Sequence, residues 1–255
     1  MTSESPTAPT VPAAPTVATA PAAPTVPAAP TVATAPAAPT APTVATAPAA
    51  PLLTVGFDLD MTLIDSRPGI KAAYQALSAE TGTYIDADEA VTRLGPPLDE
   101  ELAYWFAEAD VPAMADRYRE IYPTYAIEPT PAMPGAREAI AAVQALGGRA
   151  IVVTAKHEPN ARLHLKHLGI EPDAVVGWLW AEAKAGALRE YGAQVYVGDH
   201  VGDVRGARTA GALSVVVPTG PCPEPELRAA GADVVLADLT ALPEWLARYV
   251  AGQAA

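Results

Sequence analysis

The sequence predicts an α/β fold in which a parallel sheet flanked by helices is interrupted early in the chain by a purely helical segment. Three observations carry this. From Pro134 onward, short apolar runs and helical stretches alternate strictly with short loops between them, the pattern of right-handed strand–helix–strand units. Between Arg67 and about Thr130, four helical stretches follow one another with no strand pattern among them, and helices without a sheet between them form a layer of their own. Several apolar runs also end in Asp or Thr, and parallel sheets bind ligands beyond the carboxyl ends of their strands.

The first 51 residues hold one charged residue, Glu4, no Leu or Ile, and 13 of the chain's 28 prolines. The unit Ala8 to Ala22 is repeated letter for letter from Ala23 to Ala37, and Ala38 to Ala49 is the same unit lacking three residues. Such a stretch buries too little apolar surface to offset its ordering entropy, which predicts a disordered, semi-rigid Pro/Ala/Thr-rich tail over 1–51. It has neither the basic segment nor the unbroken apolar run of a secretory leader. The chain as a whole shows no run of the roughly 18 apolar residues that a membrane span needs. The single cysteine, Cys222, excludes an internal disulfide and disfavours cysteine-ligated zinc. These readings point to the cytoplasm and to no membrane partner. The net charge of −13 repels a phosphate backbone, so no nucleic-acid partner is expected. A small phosphorylated molecule remains possible, because a local cation outweighs a distant field.

Leu52 to Phe57 reads as a buried strand ended by Asp58. Pro68 opens a helix that ends near Gly82, with Ile70, Ala73, Tyr74 and Leu77 on one face. Asp86 caps a second, ending at Leu94-Gly95; Leu98 to Ala109 forms a third with Leu102, Trp105 and Phe106 inward; Pro112 to Tyr125 forms a fourth. Beyond these, helices are expected over Pro134 to Leu146, Pro159 to Leu168, Glu182 to Tyr191, Val201 to Ala210, Glu224 to Ala230 and Ala241 to about Val250. The strands between them are Arg149 to Val153, Ala174 to Val176, Gln194 to Val197, Leu213 to Val217 and Asp233 to Leu236. Core-forming segments 52–66 and 131–255 thus enclose a separate small helical bundle over 67–130, the segment that the resemblance named below makes a helical cap.

The strand ends collect Asp58, Asp60, Thr154, Lys184, Asp199 and Asp203 at one edge of the sheet. Two aspartates one residue apart at a strand terminus call for a cation, since buried charge is costly unless paired or coordinated. Lys156 competes with Lys184 as the ammonium of the site. His157 and His200 fall in neighbouring loops and are read as solvated. Trp105, Phe106, Trp178 and Trp180 are read as core or cap-packing residues.

The ordered set Asp58-x-Asp60-x-Thr62, Thr154, Lys184 and Gly198-Asp199-x-x-x-Asp203 resembles the haloacid-dehalogenase-like superfamily of phosphotransferases. Pro134-Gly135-Ala136-Arg137-Glu138-Ala139 and the closing Ala230-Gly231-Ala232-Asp233-Val234-Val235 further resemble its phosphoglycolate-phosphatase-like, helically capped branch. The resemblance runs from Leu52 to about Val250 and implies a Rossmann-like core. Met61 stands where the family's phosphatases usually carry Gly, Ala185 where many carry Pro, and Val175 to Trp180 is unusual ahead of the lysine.

What the resemblance implies is a Mg²⁺-dependent phosphatase acting on a small, phosphoglycolate-like metabolite through an aspartyl-phosphate. Asp58 would be the nucleophile and Asp60 the acid and base. Thr154 and Lys184 would hold the phosphoryl group. The metal would be bound by Asp58, the Asp60 carbonyl and Asp199, with Asp203 either a further ligand or a partner of the ligands. Arg67 and Arg93 are the candidate contacts to the leaving group. Two alternatives use the same residues: a phosphomutase of the β-phosphoglucomutase type, and a non-catalytic phosphate-binding or regulatory module with the tail as its arm.

Overall fold

The computed structural model describes residues 53–253, and the repeat tail lies outside them. Six strands form one parallel sheet: β1 Thr54–Phe57, β2 Arg149–Val153, β3 Ala174–Val176, β4 Val195–Gly198, β5 Leu213–Val216 and β6 Val234–Val235. Their order is β3-β2-β1-β4-β5-β6, the Rossmann-like arrangement that the alternation predicts. The chain leaves β1 to one side and returns on the other through β4, so the crevice at the carboxyl ends of β1 and β4 is the topological switch point where such sheets bind ligands. Register fixes that edge: Phe57 lies opposite both Val152 and Val197, and Asp58 N–H donates to the Val197 carbonyl at 2.8 Å.

Helices α1 Arg67–Thr81, α2 Ala87–Ala90, α3 Leu98–Leu102 and α4 Val111–Ala126 follow β1 without a strand among them. They enclose an apolar cluster of their own, including Ile70, Tyr74, Leu77, Leu102 and Tyr122, distinct from the core under the sheet formed by Val55, Phe57, Val152, Val197 and Val215. The third helix is shorter than its sequence suggests. The N–H groups of Trp105 and Phe106 both return to the Leu102 carbonyl, a turn that lets these adjacent side chains reach the same apolar cluster. A continuing helix would point them about 100° apart.

The remaining helices, α5 Ala136–Ala145, α6 Glu158–Leu168, α7 Lys184–Glu190, α8 Val201–Ala210, α9 Glu224–Ala229 and α10 Leu242–Gln253, alternate with the strands. The stretch expected as one helix from Glu182 begins instead as a short 3₁₀ turn, Ala181–Ala183, and becomes α-helical at Lys184. No helix among the described residues is long and apolar enough to cross a membrane.

One buried contact joins α4 to α6. His164 is wholly buried, its Nε2 lies 3.0 Å from the Tyr122 hydroxyl, and its Nδ1 has no partner. Burial first, and then the Lys156 charge, push its pKa down to about 3. The unfolded chain therefore binds more protons than the folded one between pH 6.5 and about 3, and stability present above pH 6.5 is lost as pH falls through that window. The slope approaches about 1.4 kcal/mol per pH unit. Urea unfolding at pH 7 and pH 5 should show a loss of about 1–2 kcal/mol, and His164→Gln should flatten the dependence.

Candidate active site

The turn after β1 delivers both leading aspartates. The Leu59 carbonyl accepts from the N–H groups of Thr62, Leu63 and Ile64 at 3.2, 2.9 and 3.1 Å, winding residues 59–64 into a tight loop anchored by the buried Leu59, Leu63 and Ile64. Met61 has φ 61°, the left-handed region that costs a non-glycine residue about 1–2 kcal/mol. Glycine would adopt this conformation without strain. Here methionine takes the strain with its side chain buried, and the Met61 carbonyl accepts from Thr219 Oγ1 at 2.6 Å.

Lys184 organises the site. Its side chain is fully buried, and Nζ donates to Asp58 Oδ1 at 2.9 Å, Asp203 Oδ1 at 2.7 Å and the Tyr196 hydroxyl at 2.8 Å. Tyr196 in turn donates to the Val153 carbonyl at 2.7 Å. Burial opposes the ammonium, but Asp203 and Asp58 outweigh it and raise the lysine above its ordinary value. The other Asp203 oxygen accepts from the N–H groups of Asp199 and His200 at 3.1 and 3.0 Å. Both oxygens of Asp203 are thus engaged in holding Lys184 and the loop after β4. A Cβ on Gly198 would lie 2.4 Å from the Asp203 carboxyl carbon, so only glycine admits this packing.

Asp199 Oδ1 accepts from Thr62 Oγ1 at 2.7 Å. Burial first, and then the charges of Asp203 and Asp58, push the Asp199 carboxyl far above the usual range. For Asp58, burial and the neighbouring Asp203 and Asp60 outweigh Lys184, and its pKa rises to about 7. Oxygens of Asp58, Asp199 and Asp203 all lie within 4.8 Å of one another. Three clustered carboxylates against one ammonium leave uncompensated charge on hard oxygen donors, which fits a divalent cation such as Mg²⁺. The glycine at 220 agrees with this, because a Cβ there would come within 1.8 Å of Asp199 Oδ2.

Asp60 is held apart from this cluster. Lys156 Nζ binds its Oδ1 at 2.9 Å and lies 4.6 Å from the centre of the Tyr122 ring. Burial would raise the Asp60 carboxyl, but Lys156 outweighs it and keeps the pKa below its ordinary value. The two lysines are therefore not rivals: Lys184 serves Asp58 and Asp203, and Lys156 serves Asp60. Thr154 Oγ1 accepts from Lys156 N–H at 3.2 Å, which leaves the hydroxyl proton of this buried residue available for donation.

A cavity of about 200 Å³ opens in front of Asp58 and Asp60, lined also by Thr154, Lys156, Arg93 and Arg119. Arg67 is not brought to it. That side chain is half exposed and forms a bidentate pair with Asp65 at 2.8 and 2.7 Å, because the helix begins one residue earlier than Pro68 suggests and turns the guanidinium back onto the preceding loop. Trp178, read from sequence as a packing residue, is 54% exposed; Arg119 lies 4.6 Å above its ring and His157 packs against its edge at 4.9 Å. Trp180 occupies the space beside Gly95 and Gly202 and lies 5.0 Å from the His200 ring, so His200 is packed and caps α8 instead of being solvated. Tyr196 and the role of Lys156 were missed in the sequence, where the first reads as one more apolar strand residue.

The family model of the haloacid dehalogenase-like hydrolases matches residues 55–217. The chain belongs to that family. Among curated relatives of this haloacid dehalogenase-like hydrolase, the phosphoglycolate phosphatase of Rhodospirillum rubrum is 33% identical over 215 residues, covering 74% of this chain and 89% of the relative. That of Caulobacter vibrioides is 27% identical over 220 residues, covering 75% and 89%. The tyrosine-protein kinase PtkA of Mycobacterium tuberculosis is 31% identical over 179 residues, covering 64% and 61%. A crystal structure described as a predicted phosphatase from Clostridium acetobutylicum shares the fold, with a TM-score of 0.68 at 24% identity over 78% of this chain and all of that one. On the family match and the two phosphoglycolate phosphatase relatives, the chain is a phosphoric monoester hydrolase.

Proposed function

We propose that this haloacid dehalogenase-like hydrolase is a Mg²⁺-dependent phosphatase that cleaves a small phosphorylated metabolite through an aspartyl-phosphate on Asp58. The observation that carries the reading is the division of labour between two buried aspartates. Asp58 sits with Lys184 among Asp199 and Asp203, whereas Asp60 faces the same cavity from a separate lysine. The phosphoglycolate phosphatase relatives support a small monoester as substrate. The helices over 67–130 act as a cap, since the cavity is lined from both α1–α4 and the sheet edge.

An Asp58 carboxylate oxygen attacks phosphorus, and the bond from phosphorus to the ester oxygen breaks. Asp60, which is ionised beside Lys156 in the resting site and must take up a proton from solvent as substrate binds, passes that proton to the departing alkoxide. Asp60 then takes a proton from water as that water attacks the aspartyl-phosphate, releasing phosphate and restoring Asp58. Thr154 donates its hydroxyl proton to a phosphoryl oxygen, and Lys184 steadies the nucleophile and the transferred group. Two unit charges at 4 Å repel by about 4 kcal/mol at an effective dielectric of 20. Mg²⁺ held by Asp58, Asp199 and the Asp60 carbonyl would supply the positive charge that lets a carboxylate approach a phosphate dianion. Asp203, with both oxygens engaged by Lys184, Tyr196 and backbone N–H groups, positions the lysine and the β4 loop and is not a ligand in this scheme.

Asp60→Asn tests the scheme. Para-nitrophenolate leaves without needing a proton, so the variant should release a burst of about one equivalent of it from para-nitrophenyl phosphate and then stall, because no base remains to activate water. A linear time course with no burst, at near wild-type rate, would remove Asp60 from the mechanism.

A further inference from the structure

The cavity's charge balance distinguishes it from a carboxylate-binding site. Every cation that lines it is already matched. Arg93 places Nε and Nη2 on the two oxygens of Glu101 at 2.9 and 2.7 Å and Nη1 on Glu89 at 2.5 Å. Arg119 binds Asp99 at 2.9 Å and Asp116 at 3.1 Å, and Lys156 binds Asp60. Glu101 and Asp99 themselves line the cavity, so an anionic leaving group would meet two carboxylates and no spare cation. Glycolate, the alcohol that leaves phosphoglycolate, carries such a charge.

The groups left over have a different chemistry. Tyr74 and Tyr118, 3% and 5% exposed, line the cavity, and neither hydroxyl has a hydrogen-bond partner among the described residues; the Tyr122 hydroxyl is taken by His164. Their rings pack at a tilt of 38° with centroids 4.8 Å apart, and Tyr118 continues to Tyr122 at 5.5 Å. Ile70, Leu94 and Leu98 complete an apolar wall. Neither hydroxyl oxygen is among the fully buried unpaired side-chain atoms, so both are accessible from the cavity they line. A ligand with its own hydroxyls satisfies them, and its C–H face covers the rings and aliphatic side chains. The volume of about 200 Å³ is below the roughly 300 Å³ where drug-sized pockets begin, so it suits a single sugar ring or a short polyol.

We infer that the leaving-group end of this cavity takes a neutral, hydroxyl-bearing alcohol of sugar or polyol type, selected by the Tyr74 and Tyr118 hydroxyls, and disfavours carboxylates. This rests on the phosphatase reading above and narrows it.

The test compares kcat/KM of the full chain with Mg²⁺ on hexose, pentose and glycerol monophosphates, phosphoglycolate and para-nitrophenyl phosphate. The best neutral ester should exceed phosphoglycolate by about tenfold or more, the equivalent of about 1.4 kcal/mol. Tyr118→Phe and Tyr74→Phe should each lower kcat/KM on that ester by about three- to tenfold, mostly through KM, and by less on para-nitrophenyl phosphate, which offers no hydroxyl. Glu101→Gln, which releases part of the Arg93 charge, should raise phosphoglycolate turnover relative to the neutral ester. Phosphoglycolate cleaved about tenfold better than every neutral ester would overturn the inference and leave the phosphatase reading standing. So would phenylalanine variants that slow all esters equally. No metal-dependent phosphate release from any ester, para-nitrophenyl phosphate included, would overturn both.

Discussion

Asp58→Asn should abolish turnover, by at least about a thousandfold, while leaving the protein as stable as the wild type or more so. The first half follows from losing the proposed nucleophile. The second follows from electrostatics. Asp58 is buried beside Asp203 and Asp60 strongly enough to carry its pKa up to about 7, so its negative charge is held at a cost to the folded state in the absence of metal. Asparagine keeps the shape and a carbonyl acceptor for Lys184 while removing one of three mutually repelling carboxylates. Chemical denaturation in a chelator should place the variant level with the wild type or about 1 kcal/mol above it. A loss of several kcal/mol would mean that the Asp58–Lys184 pair stabilises the fold instead of storing charge for catalysis.

Lys184→Met should have the opposite effect on stability. The substitution keeps length and apolar volume but leaves Asp58, Asp199 and Asp203 within 4.8 Å of one another with no ammonium among them. Removing one partner of a buried ion pair typically costs about 3–5 kcal/mol, because the remaining charge is left uncompensated. Here the Tyr196 hydroxyl also loses its donor. Turnover should disappear with it. Mg²⁺ at about a hundredfold over its dissociation constant should return about 2.7 kcal/mol, since a divalent cation compensates the same carboxylates. A variant that unfolds in chelator within about 1 kcal/mol of the wild type would show that the lysine does not hold the cluster together.

The sheet was legible because each strand is a short apolar run with a polar terminus. Asp58, Thr154 and Asp199 could be assigned to one edge from topology alone, and the structure places them there. Lys184 was legible for the same reason, as the first cation after β3. What the sequence concealed depends on which side chains meet across long separations. Lys156 stands two residues beyond Thr154, but its pairing with Asp60, 96 residues away, is set by how β2 lies beside β1. Tyr196 occupies an apolar strand and reveals its role only through the Lys184 ammonium it accepts from. Met61 was an oddity of composition until its φ of 61° showed a backbone position where glycine is the unstrained choice. Arg67 failed as a candidate because a neighbour two residues back, Asp65, captures it, a local pairing that residue counting passes over.

The central claim is that phosphate passes through Asp58, and trapping that species tests it most directly. Wild type and Asp60→Asn would be mixed with para-nitrophenyl phosphate and Mg²⁺, quenched in acid within one turnover, reduced with borohydride and digested. The account predicts that the peptide containing Asp58 carries homoserine at that position, the product of reducing an aspartyl-phosphate, in higher yield from Asp60→Asn and not at all from Asp58→Asn. Phosphate release at full rate with Asp58 recovered unmodified in every sample would contradict it.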